Sequence, residues 1–439
     1  MNKIKIGLYL SNNGYGNLDL SKPYLGNPGI GGTQYMFLCL PHYYNLYFDD
    51  VEFIFFANKI ETLSNEYKKF QVNNLIEAAN MAKQKGCDIF IYRPTVDNEA
   101  KKFLSLIKNI KLKTIAWIHN TPFKLLDKLA NNEYIVRYIN VSQEQYDMLR
   151  DHPIIYKSTV ICNGFDSSIS KHYIDCKKNK YVTYLGSLIP AKGFHILASI
   201  WKDIVREVPD AKLKVIGSGK LYNRNTKLGK WQIADESYER QWRKFLSDDF
   251  GNKLESVEFL GTLGIEKFNI MAESLVGVPN PTGISENCPG SAIEFQSVGT
   301  CVVSGAYWGL FDTVDNGKTG YLVKTKEELK EKIIYLLKNE NKALEMGRNG
   351  VKFVENKFNW KKISKQWNKE FFDILDEKKV DILPLTQNLN FEYKLFSEKM
   401  RVLKEKYPIM KIIPPYIKIR PYHRKILRLF GIKKWEMSL

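Results

Sequence analysis

Short apolar runs alternate with longer, helix-periodic segments along most of this 439-residue chain, and that alternation constrains the fold more than any other feature. Runs at Lys3–Leu10, Val51–Ala57, Asp88–Tyr92, Thr114–Ile118, Tyr138–Val141 and Thr159–Cys162 read as buried strands. Periodic segments such as Tyr35–Tyr44 and Leu75–Lys85 lie between them. A Lys- and Asp-containing stretch, Asn163–Lys180, interrupts the pattern like a linker. Strand-like runs resume at Tyr181–Leu185, Lys212–Ile216, Val257–Leu260, Val276–Pro279, Cys301–Val303 and Tyr321–Val323. This order predicts an α/β fold of two doubly wound, parallel-sheet domains, 1–165 and 180–357, facing a central cleft. Ligands of such sheets sit at the carboxyl ends of strands, where the strand order reverses.

Composition removes several classes of protein. With 44% apolar residues and 13% aromatics the chain can build real cores. Nothing approaches an apolar run of ~20 residues, so no spanning helix is expected. The opening MNKIKIGLYLSNNGYG has a basic start, but its apolar run is too short for a signal peptide and reads as the first strand. Six cysteines, Cys39, Cys87, Cys162, Cys176, Cys288 and Cys301, show no CxxC or His spacing, which suits reduced thiols in a cytoplasmic protein. The net charge of +18 points to nucleic acid, an anionic membrane surface or polyanionic substrates.

The densest chemistry lies in VGVPNPTGISENCPGSAIEFQSVGTCVVSGAYWGLFDTVDNGKTGYLV, residues 276 to 323. A buried strand runs into a small-residue loop and then a helix from about Gly290. Backbone amides and a positive dipole end gather there, which suits an anion. Glu286 and Glu294, eight positions apart, would instead grip neutral hydroxyls beside it. An anion flanked by hydroxyls describes a sugar nucleotide. Further candidates are scattered upstream. Gly29-Ile30-Gly31-Gly32-Thr33 precedes a helix, with Thr33 able to cap it, and reads equally as a diphosphate loop or a plain turn. His119 ends the strand TIAWIHN, either as a packed residue or as a donor to a sugar hydroxyl or phosphate. Asn163-Gly164 reads as a turn. In YLGSLIPAKGFHIL, Gly186 ends a strand, Lys192 lies in the loop and Gly193 starts a helix; an ammonium there neutralises a leaving diphosphate.

YLGSLIPAKGFHIL, VIGSG, VEFLG, the Glu286 to Glu294 spacing and GKTGYLV together resemble the retaining glycosyltransferases of family 4, which have the GT-B fold. VSQEQYDML, VICNGFD and RNGVKFVENKFNWKKI fit as well. The resemblance covers residues 1 to about 376, with most of its motifs between 181 and 325. It implies that a helix over 358–376 crosses back to the first domain. By the same resemblance Glu294 binds the nucleotide ribose, Glu286 lies beside the donor sugar and Lys192 contacts the diphosphate. The amides from Cys288 to Ser291, including Gly290, would help, as would Gly31, Gly32 and the Gly186-Ser187 turn. His119 matches the family's first-domain histidine near the sugar. Ser187 stands where the family often has Arg, so Lys220, Arg224 or Lys227 would supply the second cation. Asn287-Cys288-Pro289-Gly290 replaces the usual Gly-Phe-Gly. No D-x-D triplet appears, so neither a metal nor a cofactor is expected; the nucleotide sugar is a co-substrate.

After Lys379 the composition changes, and 380–439 reads as a basic extension. Ser397 to Leu439 holds twelve Lys or Arg against three Glu, half of the net charge. Ile412, Ile413, Tyr416, Ile426, Leu427, Leu429, Phe430 and Trp435 are interleaved, a composition that suits either an anionic membrane surface or a docked tail. The expected activity is transfer of a sugar to a glycan or lipid-linked acceptor, for cell-surface polysaccharide or glycolipid, in the cytoplasm or at the inner face of the plasma membrane. A GT-B-fold sugar-nucleotide epimerase is the rival enzyme. A basic nucleic-acid-binding protein is the rival of another class, but no nucleic-acid module appears.

Overall fold

Strands such as VEFIFFA at Val51–Ala57 are buried along nearly their whole length, because helices cover both faces of a parallel sheet. The structure, a computed structural model, describes residues 3–220, 225–283, 286–388 and 391–420. Its chain contacts divide it into two units. Among the described residues, unit 1 holds those of 3–24, 32–164 and 360–420, and unit 2 those of 25–31 and 165–359.

Unit 1 begins with β1 (Ile4–Leu10), α1 (Gly32–Asn45), β2 (Val51–Ala57), β3 (Lys68–Gln71), α2 (Leu75–Gln84), β4 (Ile89–Tyr92) and α3 (Asn98–Asn109). It continues through β5 (Thr114–Ile118), α4 (Leu126–Asn131), β6 (Ile135–Asn140), α5 (Gln143–Asp147) and β7 (Ser158–Val160). The parallel sheet runs in the order β3-β2-β1-β4-β5-β6-β7, so its order reverses between β1 and β4. Two features differ from what the sequence suggests. The half-exposed KKFQ strand β3 lacks the apolar run that marks the others. Thr33 lies within α1, one residue past its start, and is not its cap.

Unit 2 is built from β8 (Asn179–Leu185), α6 (Phe194–Glu207), β9 (Lys212–Ile216), α7 (Glu236–Arg243), β10 (Val257–Gly261), α8 (Lys267–Ala272) and β11 (Ser274–Val278). Then come α9 (Gly290–Ser297), β12 (Cys301–Gly305), α10 (Leu310–Thr313), β13 (Gly320–Val323), α11 (Lys326–Lys338) and α12 (Glu340–Phe358). The order β10-β9-β8-β11-β12-β13 reverses between β8 and β11. The aromatic-rich segment between β9 and β10 is part of the core: Trp242 of α7 is fully buried, edge-on to Phe194 of α6 at 5.0 Å. Asn163–Lys180 is not an open linker, because it contains two short 3-10 turns and its last two residues begin β8.

After unit 2 the chain returns to the unit 1 cluster through α13 (Trp360–Leu375) and α14 (Phe391–Lys406). Aromatic packing fixes α13. Trp367 stands edge-on to Trp117 of β5 at 4.8 Å, and Trp360 stacks on Tyr43 of α1 at 4.7 Å. A β-carbon on Gly164 would meet Trp360 at 2.3 Å, so this glycine is the seat of an indole and more than a turn residue.

The extension beyond α13 is docked on unit 1 through ion pairs, most of whose charges are buried. Lys394 of α14 pairs with Glu144 at 2.5 Å and Asp147 at 3.0 Å, both from α5. Arg150 binds Asp147 at 2.6 Å, Glu398 at 3.1 Å and the Pro384 carbonyl at 2.8 Å. Lys404 reaches Asp151 at 3.2 Å, and Lys418 pairs with Asp127. Asp147 is fully buried, so removing the extension would strand it without its lysine. Among the described residues no helix is long and apolar enough to cross a membrane. Breaking a buried pair by deleting one partner costs about 3 kcal/mol or more. Lys394→Met therefore lowers the unfolding free energy of unit 1 by about that amount in urea titrations, whereas Lys399→Met at an exposed position of the same helix changes it by less than about 0.5 kcal/mol.

Candidate active site

Two loops meet at the carboxyl ends of β8 and β11, where the second sheet reverses its strand order. The first, Gly186 to Gly193, ends in a 3-10 turn over Pro190–Lys192. The second runs from Pro279 to Pro289. Asn280, fully buried, joins them. Its Oδ1 accepts from the amides of Thr282 (3.0 Å) and Gly283 (3.1 Å), and its Nδ2 donates to the Ala191 carbonyl (3.4 Å) and to Glu286 Oε1 (3.1 Å). Thr282 Oγ1 adds a bond to the Ala191 carbonyl at 3.1 Å. Glycine is required at two points. Gly193 has φ +69 and a β-carbon there would press on Thr282 at 2.6 Å; at Gly217, with φ +141, it would meet the Gly186 carbonyl at 1.9 Å.

Lys192 and Glu286 are brought together by this construction. Lys192 Nζ lies 2.5 Å from Glu286 Oε1, with the two side chains 15% and 13% exposed. Both donors to Glu286 fall on Oε1; among the described residues Oε2 takes no hydrogen bond. The Gly309 amide donates to the Glu286 carbonyl at 2.6 Å, fixing the backbone on the other side. Glu294, on α9, is paired with Lys267 at 2.6 Å, the two side chains 19% and 15% exposed. Neither Lys267 nor Asn280 is recognisable in the sequence: a lone lysine opening a short helix and an Asn between two prolines carry no motif.

α9 begins at Gly290 after Pro289, and no side chain caps it. The amides of Gly290 and Ser291 therefore have no intrahelical acceptor and suit an anion, while that of Ala292 already bonds the Pro289 carbonyl at 3.2 Å. Gly290 is exposed and Cys288 half-buried, while Asn287 is buried. Ser187 is 2% exposed and its hydroxyl donates to the Ser218 carbonyl at 3.3 Å, so its side chain serves the loop. Gly186 donates to the Ile216 carbonyl at 3.0 Å, tying the end of β8 to β9. Arg224 lies outside the described residues. Lys227 pairs with Glu236 at 3.3 Å, and Lys220 is exposed.

Gly29, Ile30 and Gly31 form a turn organised by Asn27, whose Oδ1 accepts from the amides of Gly29 and Ile30 at 2.9 Å each. Gly32 is the exposed first residue of α1. In unit 1, His119 directly follows β5 and is 8% exposed, 4.8 Å from the Trp117 ring and 6.4 Å from that of Phe37. Burial drives its pKa from 6.5 down to about 3, and the Arg93 guanidinium pushes it the same way. Hydrogen bonding with Asn163 and the Trp117 backbone offsets only part of this. The imidazole is therefore neutral in water near pH 7, with one nitrogen able to donate and the other to accept.

Two doubly wound parallel sheets, each with its own reversal of strand order, make this a GT-B fold. Residues 168–353 match the family model described as glycosyl transferases group 1. An uncharacterised glycosyltransferase of Methanocaldococcus jannaschii is 26% identical over 59% of this chain and 68% of its own length. The capsular polysaccharide biosynthesis glycosyltransferase CapM of Staphylococcus aureus is 27% identical over 60% of this chain and 69% of its own. Among solved structures, Anabaena HepE, crystallised with UDP-glucose, superposes with a TM-score of 0.59 at 16% identity, over 84% of this chain and 99% of HepE. The family model and the names of these relatives support a glycosyltransferase; neither the epimerase nor the nucleic-acid reading is favoured.

The depressed pKa of His119 has a consequence for stability. Between pH 6.5 and about 3 the unfolded chain binds a proton there that the folded one refuses. The stability this site contributes is complete above pH 6.5 and falls as the pH drops, by at most about 1.4 kcal/mol per pH unit. His119→Gln is expected to flatten the acid slope of unfolding free energy by one proton equivalent in urea titrations between pH 4 and 7. His152 and His195, which burial shifts the same way, keep a residual slope in the variant.

Proposed function

We propose that the chain is a retaining, metal-independent glycosyltransferase of family 4. It moves a sugar from a nucleotide-sugar donor held by unit 2 to a glycan or lipid-linked acceptor. The observation that carries this reading is the meeting of Lys192 and Glu286 beside the uncapped start of α9, at the strand-order reversal of the second sheet. One cation and a set of free amides suit the diphosphate; Glu286 Oε2 and Glu294 are acceptors for the hydroxyls of the sugar and the ribose. HepE, solved with UDP-glucose, and CapM, named for capsular polysaccharide biosynthesis, support a uridine nucleotide donor and a role in surface polysaccharide or glycolipid.

In the reaction, the bond from the anomeric carbon to the terminal phosphate oxygen breaks, the acceptor hydroxyl oxygen takes its place, and the hydroxyl proton passes to the departing phosphate oxygen. Negative charge grows on the departing phosphate oxygen, so cations and amides already in position lower the barrier. Lys192 and the first turn of α9 supply that charge, with Cys288, Gly290 and Ser291 as backbone contacts and Gly31 and Gly32 as further ones; Gly186, its amide bonded to Ile216, shapes the loop. The resting ion pair has a second effect. Glu286 neutralises the lysine until a diphosphate arrives, and the incoming phosphate exchanges one anionic partner for another. His119, neutral, supplies a hydrogen bond to the sugar.

The extension supports attachment to an anionic membrane face, although less of it is available than its composition suggests. Arg401, Lys404 and Lys418 are consumed by acids of the chain itself. What stays outward is apolar and basic: Ile409 is 72% and Ile412 78% exposed, and Tyr407, Ile413, Lys406 and Lys411 are exposed around them. Apolar side chains ringed by lysines suit the headgroup boundary of an anionic bilayer. The other apolar and basic residues of the tail, from Ile426 to Trp435, lie outside the described residues.

Two outcomes test these assignments. Glu286→Gln and Lys192→Ala should each lower turnover with a nucleotide-sugar donor by roughly a hundredfold or more, on the scale of one lost transition-state donor. Calorimetry should show UDP binding weakened in Lys192→Ala but not in Glu286→Gln, which removes an anion from beside the lysine; wild-type turnover in either variant removes that residue from the site. Separately, Ile409→Glu with Ile412→Glu should abolish co-sedimentation with phosphatidylglycerol vesicles while leaving the melting temperature unchanged. Binding equal to wild type would end the membrane reading.

A further inference from the structure

The first sheet reverses its strand order between β1 and β4, and at the carboxyl ends of those two strands unit 1 has a cleft of about 130 Å³. Tyr9 and Ser11 line it from the end of β1, Thr33 and Gln34 from the start of α1, and Arg93 from just beyond β4. Asp97 and Glu99 complete the rim. By position alone this is where a doubly wound sheet takes a ligand. Its chemistry is set by which of the three charged side chains still has hydrogen-bonding groups to offer a ligand.

Both carboxylates accept from backbone amides, and the Asp97 charge also interacts with that of Arg93. Asp97 caps α3, accepting from the Ala100 amide at 2.9 Å, and a hydrogen bond from Thr95 helps hold its pKa below the usual range. Glu99 accepts from the amides of Leu75 and Ile76 at 3.0 and 3.4 Å, closing the start of α2. Arg93 is half-buried and, among the described residues, makes no hydrogen bond and no ion pair. Asp97 balances part of its charge from a distance, but the planar fork has no hydrogen-bonded acceptor among the described residues, and it matches a carboxylate or phosphate in two-point contact. Around it stand the hydroxyls of Tyr9, Ser11, Thr33 and Thr95 and the Gln34 amide, groups that recognise a sugar ring. Its charge is also felt at His119.

We propose that this cleft binds the acceptor through an anionic group on a sugar, a carboxylate or a phosphoryl, with Arg93 as its counter-charge and Ser11, Thr33 and Gln34 reading the neighbouring hydroxyls. The inference rests on the glycosyl-transfer reading for the word acceptor; the anion preference itself is a property of unit 1. The substrate must then come from a reaction that oxidises a sugar to a uronic acid or adds a phosphoryl group to one.

Calorimetry on the full chain, with UDP present in saturating amount, tests this with three probes: methyl glucoside, methyl glucuronoside and glucose 6-phosphate. At low salt one of the two charged sugars should bind about tenfold to a hundredfold tighter than the neutral one, the scale of a charge-assisted hydrogen-bond pair, and which of them does so identifies the anion. Arg93→Gln should reduce that sugar to the level of methyl glucoside and leave UDP affinity unchanged, and Arg93→Lys should keep part of the preference. Equal binding of charged and neutral sugars, no binding of any of the three, or a preference that survives Arg93→Gln overturns the proposal. A wild-type chain that does not bind UDP would overturn the donor reading of unit 2 instead, and the same titrations without UDP would still report on Arg93.

Discussion

Asn280 is the residue on which the unit 2 site depends. It is a buried amide whose donors and acceptor are all used, and it uses them to tie one loop to another. Without it the Ala191 carbonyl loses one of its two donors from the other loop, and Glu286 loses the bond that fixes Oε1 beside Lys192. A buried polar group left half-satisfied costs about 1–3 kcal/mol, so the loops have one well-determined arrangement and few near-degenerate ones. That matters for an ion pair whose members come from positions 94 residues apart in the chain. Long lysine and glutamate side chains lose much rotamer entropy on pairing, and an exposed pair of this kind contributes little. Here the loops are held first, and the pair forms between ends that are already close.

The fold was legible because its signal is redundant. Buried parallel strands such as IKIGLYL and VEFIFFA are apolar on both faces, and each is followed by a periodic helix. The element that escaped was β3, KKFQ, an edge strand at the end of the sheet order. Edge strands face water on one side and are often charged, which erases the apolar run by which the others are read. Gly164 was legible as a glycine but not for its reason, since the indole that needs the space belongs to Trp360, nearly two hundred positions on.

The site was legible only where charge and loop chemistry coincide locally. Glu286, Glu294 and Lys192 stand in motif-bearing segments, and the structure places Lys192 against Glu286. Their partners Lys267 and Asn280 come from segments with no pattern of their own, because what selects them is the tertiary pairing. The extension shows the same limit from the opposite side. Its lysines and arginines read equally as a membrane-facing surface or a docked tail, and Lys394 and Lys404 are buried against Glu144, Asp147 and Asp151. Composition counts charges and is silent about which of them face one another. A cation neutralised inside the chain contributes nothing to attraction by a distant anionic surface.

The same accounting bears on His119 and Arg93. Two causes hold the imidazole neutral, burial first and the guanidinium second. An anion bound to Arg93 would cancel the second while deepening the first, because a ligand in the cleft takes further water from the neighbourhood of the ring. Burial is the larger cause, so His119 stays neutral with the cleft filled or empty. A protonated imidazole could only donate, whereas a neutral one can donate from one nitrogen and accept at the other. The cleft can therefore bind an anion without changing the chemistry of the histidine beside it, which an arginine does more safely than a titratable lysine because its own charge is fixed at every accessible pH.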